Sequence, residues 1–491
     1  MAHPFRLYNT LSRKVEDFVP IEEGKVRLYV CGMTVYDHCH VGHARAMVVF
    51  DAFTRYLRHR GWDVTFVRNF TDVDDKIIVR ANEKGQDPLD FANHFIDEFH
   101  TEMKALGLEL PTHEPRVSES MDAIRELIQT LIDRGHAYEA EGTVWFSVKT
   151  CPEYGKLSNQ KVDELKSADD VAGKADGADF ALWKAAKPGE PSWPSTWGPG
   201  RPGWHIECSA MVCKHLGETI DIHGGGLDLV FPHHENEVAQ SECGVAKPYV
   251  RYWMHNGLLT MAGGQKMGKS LGNVINIHTA LSEFPAEAIR IYYLHNQYRS
   301  PLPWSSEALP EALGMLSRLY DAREKGEAME GDEDADKVAK ELGDDARVVL
   351  ELGRAFPEKF HAAGDQDFNT AQALAHLFEL ARAMNRFAAH KKAKKRGRPV
   401  VAPALASFAL VKDALGLFRM TPAEFHAEVK AKRLAALGLD RASVEAKLVE
   451  RSEARASKDW AKSDTIRDEL AAQKIEVLDL PEGVEWRVKL D

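Results

Sequence analysis

Two short segments of this chain carry residue types suited to phosphate chemistry: His40-Val41-Gly42-His43 and Lys266-Met267-Gly268-Lys269-Ser270. The first sits between an apolar run, Val26–Val30, and a stretch of helical periodicity that starts at Val41. A helix N-terminus presents N–H groups and partial positive charge, which suits an anion. Gly42 lets a ligand approach the backbone, and two histidines three apart can donate to the oxygens of one phosphate group. The second segment lies among Gly263, Gly264 and Gly272. Its two lysines can stabilise charge that develops on a departing pyrophosphate. Taken singly, each pattern is weak. Capping or surface histidines explain the first, and a solvated loop explains the second. Their order along the chain, each beside a strand, makes the pair strong.

A third group points to a metal. His233 and Glu237 are four apart and share one face of a helix. With Cys31 and Cys208 they make a set that suits tetrahedral zinc. The four are scattered, and Cys39, Cys213, His38, His205, His223 and His234 are rivals for the same role. The plain alternative is a pair of buried cysteines and a surface His–Glu contact.

The elements that must position these groups follow from periodicity. Val26–Val30 reads as a buried strand. Ala46, Val49, Phe50, Phe53, Tyr56 and Leu57 mark a helix that Gly61 ends, and Val64–Val67 reads as the next strand. Strand, loop, helix and strand make one βαβ unit of a parallel sheet. Further along, Ile220–His223 reads as a strand, Gly224–Gly226 as a tight loop, His234–Cys243 as a helix and Trp253–Leu259 as a strand. From Glu283 onward the pattern is helical. The basic stretch Lys391–Arg398 holds six basic residues among eight, and the breaks near Gly326–Asp336 and Lys391–Pro403 read as mobile linkers.

The 491 residues exceed one ordinary core, so several domains are expected. No run approaches the roughly 18 apolar residues of a membrane helix. The start, MAHPFRLYNTLSRK, has no apolar signal core, so a cytoplasmic location and no membrane partner are expected. Six cysteines are too sparse for a disulfide scaffold. The net charge of -12 weighs mildly against a nucleic-acid partner, although phosphate binding needs only a local basic patch.

Longer blocks carry a resemblance. YVCGMTVYDHCHVGHAR, NFTDVDDKI, GRPGWHIECSAM, DIHGGGLDLVFPHHENEVAQSE, RYWMHNGLL and KMGKS are similar to the class Ia aminoacyl-tRNA synthetases, and among them to the cysteinyl-tRNA synthetase family. The likeness runs from about Arg6 to Arg487. It implies an α/β fold with a Rossmann-type parallel-sheet catalytic domain split by a connective insertion, then an α-helical bundle and a small C-terminal α+β domain. The boundaries expected are 1–115 and 201–265 for the two catalytic halves and 116–200 for the insertion. Residues 266–325 would hold the KMGKS loop and a stem-contact segment, 326–430 the tRNA-binding bundle, and 431–491 the anticodon-binding domain.

The resemblance further implies one Zn²⁺ on Cys31, Cys208, His233 and Glu237, and Mg²⁺ that arrives with ATP. It implies His40, His43, Lys266 and Lys269 as catalytic groups, with Gly42 and Asp228 also at ATP, and Thr71 and Trp204 at the amino acid. The substrates would be ATP, L-cysteine and tRNA(Cys), and the chain a monomer. Arg451, Arg455, Lys458, Trp460 and Arg467 are candidates for anticodon contacts. Two departures stand out: Val41 takes the place of an isoleucine, and Gly268 that of the serine of KMSKS. Two rivals remain. A cysteine ligase of the mycothiol pathway shares the catalytic domain and lacks the long tail after Phe418. A silent paralogue that only binds tRNA would have no need of both histidines, both lysines and all four metal ligands.

Overall fold

Four parallel strands form the sheet that carries the site. They are β1 (Lys25–Thr34), β2 (Asp63–Thr71), β3 (Ile220–Gly226) and β4 (Val250–Asn256), in spatial order β4-β3-β1-β2. The computed structural model describes residues 4–161, 173–261, 275–480 and 483–489. The strands are buried almost continuously because both faces of a parallel sheet are covered. Helix α1 (Val41–His59) connects β1 to β2 as the sequence periodicity predicts, and Gly61 follows it at a φ of 92°.

Between β2 and β3 lies an inserted region with the helix α2 (Met121–Asp133). It also carries a four-stranded antiparallel sheet of Ala137–Ala140, Thr143–Phe146, Phe180–Ala185 and Gly200–Pro202. Its apolar residues share one core with one side of the parallel sheet, including Tyr29, Cys31 and Val67. The opposite side, with α1, is continuous with the helices that run from Ile277 to Ala436. The C-terminal unit has a separate core of Leu434, Val444, Leu448, Ile466, Leu470, Ile475 and Trp486. No helix among the described residues is long and apolar enough to cross a membrane.

Two expectations are corrected. Gly224–Gly226 is the end of β3 and not a tight loop. A Cβ at Gly224 would lie 2.4 Å from the Phe50 ring, and one at Gly225 would lie 2.8 Å from His234, so the glycines permit close packing on an extended strand. The basic stretch is pinned rather than mobile. Ala393–Arg396 forms a short helix, and Arg396 clasps Glu333 through two bonds and reaches Glu341 at 2.8 Å. Likewise Gly326 is buried within the helix Ala308–Glu327.

One buried ion pair fastens α1 to the helices behind it. Arg290 Nη2 donates to Asp51 Oδ2 at 2.7 Å and to the Leu415 carbonyl at 2.7 Å. Burial alone would raise the Asp51 pKa, but Arg290 and Arg55 outweigh it and hold the carboxyl below its ordinary value. Asp51→Ala leaves Arg290 buried without a counter-charge and is expected to cost about 3 to 5 kcal/mol. Asp51 has a depressed folded pKa, so its contribution is full above the unfolded value of about 4 and fades as pH falls through the lower folded value. Denaturant melts of both chains across that range check this. A loss under about 1 kcal/mol at neutral pH would show the pair to be dispensable.

Candidate active site and metal centre

The backbone first sets where His40 points. His40 is the N-cap of α1, with extended φ and ψ, and its Nδ1 accepts the N–H groups of Gly42 at 3.1 Å and His43 at 3.2 Å. The Val41 N–H goes to the Ile275 carbonyl and the Ala44 N–H to the His40 carbonyl. All four N–H groups of the first turn are thus engaged, and none is left for a phosphate. The expectation of free N–H groups is corrected in this way: the positive end of α1 is relayed through an imidazole. Because Nδ1 accepts, the proton of neutral His40 sits on Nε2, which makes that atom a donor. Gly42 serves the same cap, since a Cβ there would lie 2.9 Å from the His40 ring. The His40 and His43 rings stack at 3.6 Å.

The candidate metal ligands come from three elements. β1 is irregular between Val30 and Met33, and such a bulge re-aims a side chain. Gly32 is required there, because a Cβ would lie 1.6 Å from the Asn69 carbonyl oxygen. Cys208 lies on α3 (Trp204–Leu216). Glu237 lies on α4 (Glu235–Val245), and His233 in the turn that leads into it. Cys31 Sγ is 3.7 Å from Cys208 Sγ, 3.4 Å from His233 Nε2 and 3.5 Å from Glu237 Oε1, and His233 Nε2 is 3.1 Å from that oxygen. Tetrahedral zinc with ordinary bond lengths separates sulfur from sulfur by about 3.8 Å, sulfur from nitrogen by about 3.6 Å and nitrogen from oxygen by about 3.4 Å. The four atoms fit that ion closely.

A rival foursome of Cys31, His223, His234 and Glu237 is also compact. Hydrogen bonds decide between them. His223 Nε2 and the Tyr249 hydroxyl both reach Glu237 Oε2 at 3.0 Å, which leaves Oε1 facing the two thiols and His233. His234 bonds His255 through Nδ1 at 2.7 Å, and its Nε2 lies 4.0 Å from Glu237 Oε1, farther than the 3.1 Å of His233 Nε2. His205 holds the other nitrogen of His233 at 3.0 Å. Cys39 lies in the opposite core, Cys213 is exposed, and His38 pairs with Glu98 at 2.8 Å.

The electrostatics suit a cation. Burial opposes ionisation of Glu237, but His223 and His233 hold it far below the ordinary carboxylate range. Burial would lower His233, yet Glu237 and Cys208 raise it to about 10. The hydrogen bond from Cys31 is the largest influence on Cys208 and brings it to about 6, while burial and Cys208 push Cys31 well above the usual thiol range.

A cavity of about 910 Å³ joins the two constellations. Cys31, Gly32, Trp204, His40, Gly42, His43, Asp228 and Asn256 are among the residues that line it. Trp204 stacks on His233 at 4.3 Å and is 37% exposed. Thr71 does not line this cavity. It is buried at the end of β2, where its hydroxyl bonds Glu207 at 3.4 Å. Lys266 and Lys269, with Gly263, Gly264, Gly268 and Gly272, lie outside the described residues.

Comparison with known proteins now decides the family. The chain matches tRNA synthetases class I (C) catalytic domain over residues 17–314 and the DALR domain over residues 359–419. It is 48% identical to the cysteine–tRNA ligase of Geobacter metallireducens over 99% of both chains, and 48% identical to that of Geobacter sulfurreducens over the same shares. The chain belongs to the cysteine–tRNA ligase family. The fold of this family member also resembles that of Mycobacterium tuberculosis methionyl-tRNA synthetase in complex with methionyl-adenylate. The TM-score is 0.59 at 15% identity, over 85% of this chain and 94% of that one.

Sequence reasoning missed Tyr249, because a tyrosine in an apolar strand lead-in gives no signal of its own. It also left His223 among the rivals, although that residue orients Glu237. Tyr249→Phe removes one hydrogen bond from Glu237 Oε2 and should lower zinc affinity by about tenfold or more with the fold intact. Competition with a chelator measures it. An unchanged affinity would show that His223 alone orients the carboxylate.

Proposed function

We propose that this chain is a cysteine–tRNA ligase: it activates L-cysteine with ATP and transfers the cysteinyl group to the 3′ end of tRNA(Cys). The observation that carries this reading is a single cavity that meets a thiol-rich, zinc-fitting foursome at Cys31 and the HVGH histidines elsewhere on its wall. In the first step a carboxylate oxygen of cysteine bonds the α-phosphorus, the bond to the bridging oxygen breaks, and pyrophosphate leaves. In the second, the terminal ribose hydroxyl loses its proton and attacks the adenylate carbonyl, which releases AMP.

The protein has little covalent work in phosphoryl transfer and acts by position and charge. His40 Nε2–H is a donor fixed by the two N–H groups on Nδ1, so it meets phosphoryl oxygens with no cost of reorientation. His43, stacked on it, and Asp228 complete the nucleotide's surroundings, and Lys266 and Lys269 contact the triphosphate that Mg²⁺ accompanies. Trp204 borders the amino acid next to His233. Thr71 acts from behind, through Glu207.

Serine differs from cysteine by one atom, and shape alone separates such isosteres by roughly 10². A zinc ion on Cys31, Cys208, His233 and Glu237 supplies a soft acceptor that favours a thiolate over a hydroxyl, which closes the gap to the roughly 10⁴ to 10⁵ that protein synthesis needs.

At the far end, Trp460 is 57% exposed at the start of the helix Trp460–Ala472 and belongs to no core among the described residues, so it is offered to an anticodon base. Arg451 is withdrawn from the list of contacts. It is buried and clasps Asp479 at 2.8 and 2.9 Å, and Arg455 joins that carboxylate at 2.8 Å. Lys458 and Arg467 remain with Trp460 as candidates.

The test is charging of total tRNA with labelled cysteine by the purified chain. Label in tRNA is expected, at least 10⁴-fold less with serine at equal concentration and lost after zinc removal. Serine charged nearly as well as cysteine would sink the zinc reading. Cysteine-dependent pyrophosphate exchange without label in tRNA would point to a small-molecule ligase.

A further inference from the structure

The cavity has a wall that neither ATP nor cysteine accounts for. A helix between β2 and the inserted region, Asp75–Glu83, contributes Asp75, Lys76, Val79 and Arg80 to the lining, and Tyr36 joins them from the loop after β1. The inner side of this helix is buried through Ile77, Ile78 and Ala81. Lys76, Val79 and Arg80 fall at three- and four-residue spacing, so they share the outer face. Glu83, one turn on, does not line the cavity.

Three properties of this stripe are out of keeping with an idle surface. Val79 is 56% exposed, one of few large apolar side chains so placed. Lys76 Nζ lies over the Tyr36 ring, 5.3 Å from its centroid. Neither Lys76 nor Arg80 has a carboxylate partner among the described residues, whereas Asp75 is occupied by Lys184 at 2.7 Å and by Arg201. In a chain of net charge -12, two cations without a carboxylate partner among the described residues stand at the rim of the cavity, where Asp75 is already engaged by Lys184 and Arg201.

We propose that the Tyr36–Lys76–Val79–Arg80 face is the docking surface for the single-stranded 3′ end of tRNA as it enters the cavity. The proposal rests on the ligase reading. The transfer step requires the terminal ribose to reach the adenylate, so some part of the rim must guide a strand that carries one phosphate per nucleotide and bases with flat apolar faces. Lys76 and Arg80 meet the phosphates. Val79 and the Tyr36 ring offer apolar and aromatic surface to the bases without selecting a sequence. The groups proposed for ATP, His40, His43 and Asp228, line the cavity from other elements.

The experiment separates the two steps on the full chain. In the double variant Lys76→Ala/Arg80→Ala, cysteine-dependent pyrophosphate exchange is expected to stay within about twofold of the unmodified chain. The kcat/KM for charging tRNA should fall by about tenfold or more, and the log–log slope of tRNA affinity against salt should become shallower by about 1.4, as for two lost phosphate contacts on a single strand. Val79→Asp should give the same split through repulsion. Charging that is unaffected in both variants would overturn the proposal. A parallel fall in exchange would also overturn it and assign the stripe to ATP or cysteine. No exchange by the unmodified chain would fail the ligase reading itself, a result distinct from either.

Discussion

Glu237 is a carboxylate with no exposure whose two oxygens have been given different tasks. One is held by His223 and Tyr249, and the other faces Cys31 and His233. A buried carboxylate is costly unless its charge and lone pairs are met. Meeting them draws β3, α4 and the lead-in to β4 into one arrangement, and the bulge at Cys31 brings in β1. The strand order places β3 beside β1, so residues far apart in the chain converge where the parallel strands end. That is the usual place for a ligand in an open α/β sheet.

The HVGH end of the cavity follows from an equally local constraint. A histidine at the N-cap spends its Nδ1 on the helix and thereby fixes its Nε2 as a donor. Glycine at position 42 is what lets the ring lie over the first turn. The charge of α1 therefore reaches the cavity through a side chain, and its placement depends on the contacts of Val41 and Ile277 with the 275–277 segment and Cys39. Arg45 reinforces the same junction from within, since its buried guanidinium donates to the carbonyls of Leu258, Tyr298 and Ser300.

Much of this was legible in the residues. Val26–Val30, the helical period from Val41 and the run Val64–Val67 announced a βαβ unit, because a parallel strand and its crossover helix have distinct periods. His233 and Glu237 announced a shared face. What pattern alone left open was tertiary. Choosing Cys208 over Cys213 depends on a contact with Cys31 across 177 positions, and ranking His233 above His234 depends on their distances of 3.1 and 4.0 Å from Glu237 Oε1. The three glycines of β3 resembled a loop because glycine is chosen both for turns and for close packing, and only the positions of Phe50 and His234 tell which applies. Lys391–Arg398 resembled a linker because one acidic partner, Glu333, lies in a segment that also looked like one, and the other, Glu341, lies far from it in the sequence.

The central claim is that cysteine is chosen by a metal held on Cys31, Cys208, His233 and Glu237. Its most direct test is spectroscopic, with cobalt(II) in place of zinc, since thiolate-to-cobalt absorption reports sulfur at the metal. The account predicts a band from Cys31 and Cys208 that strengthens when L-cysteine is added and does not respond to L-serine. A band that is indifferent to cysteine, or that changes equally with both amino acids, would contradict it.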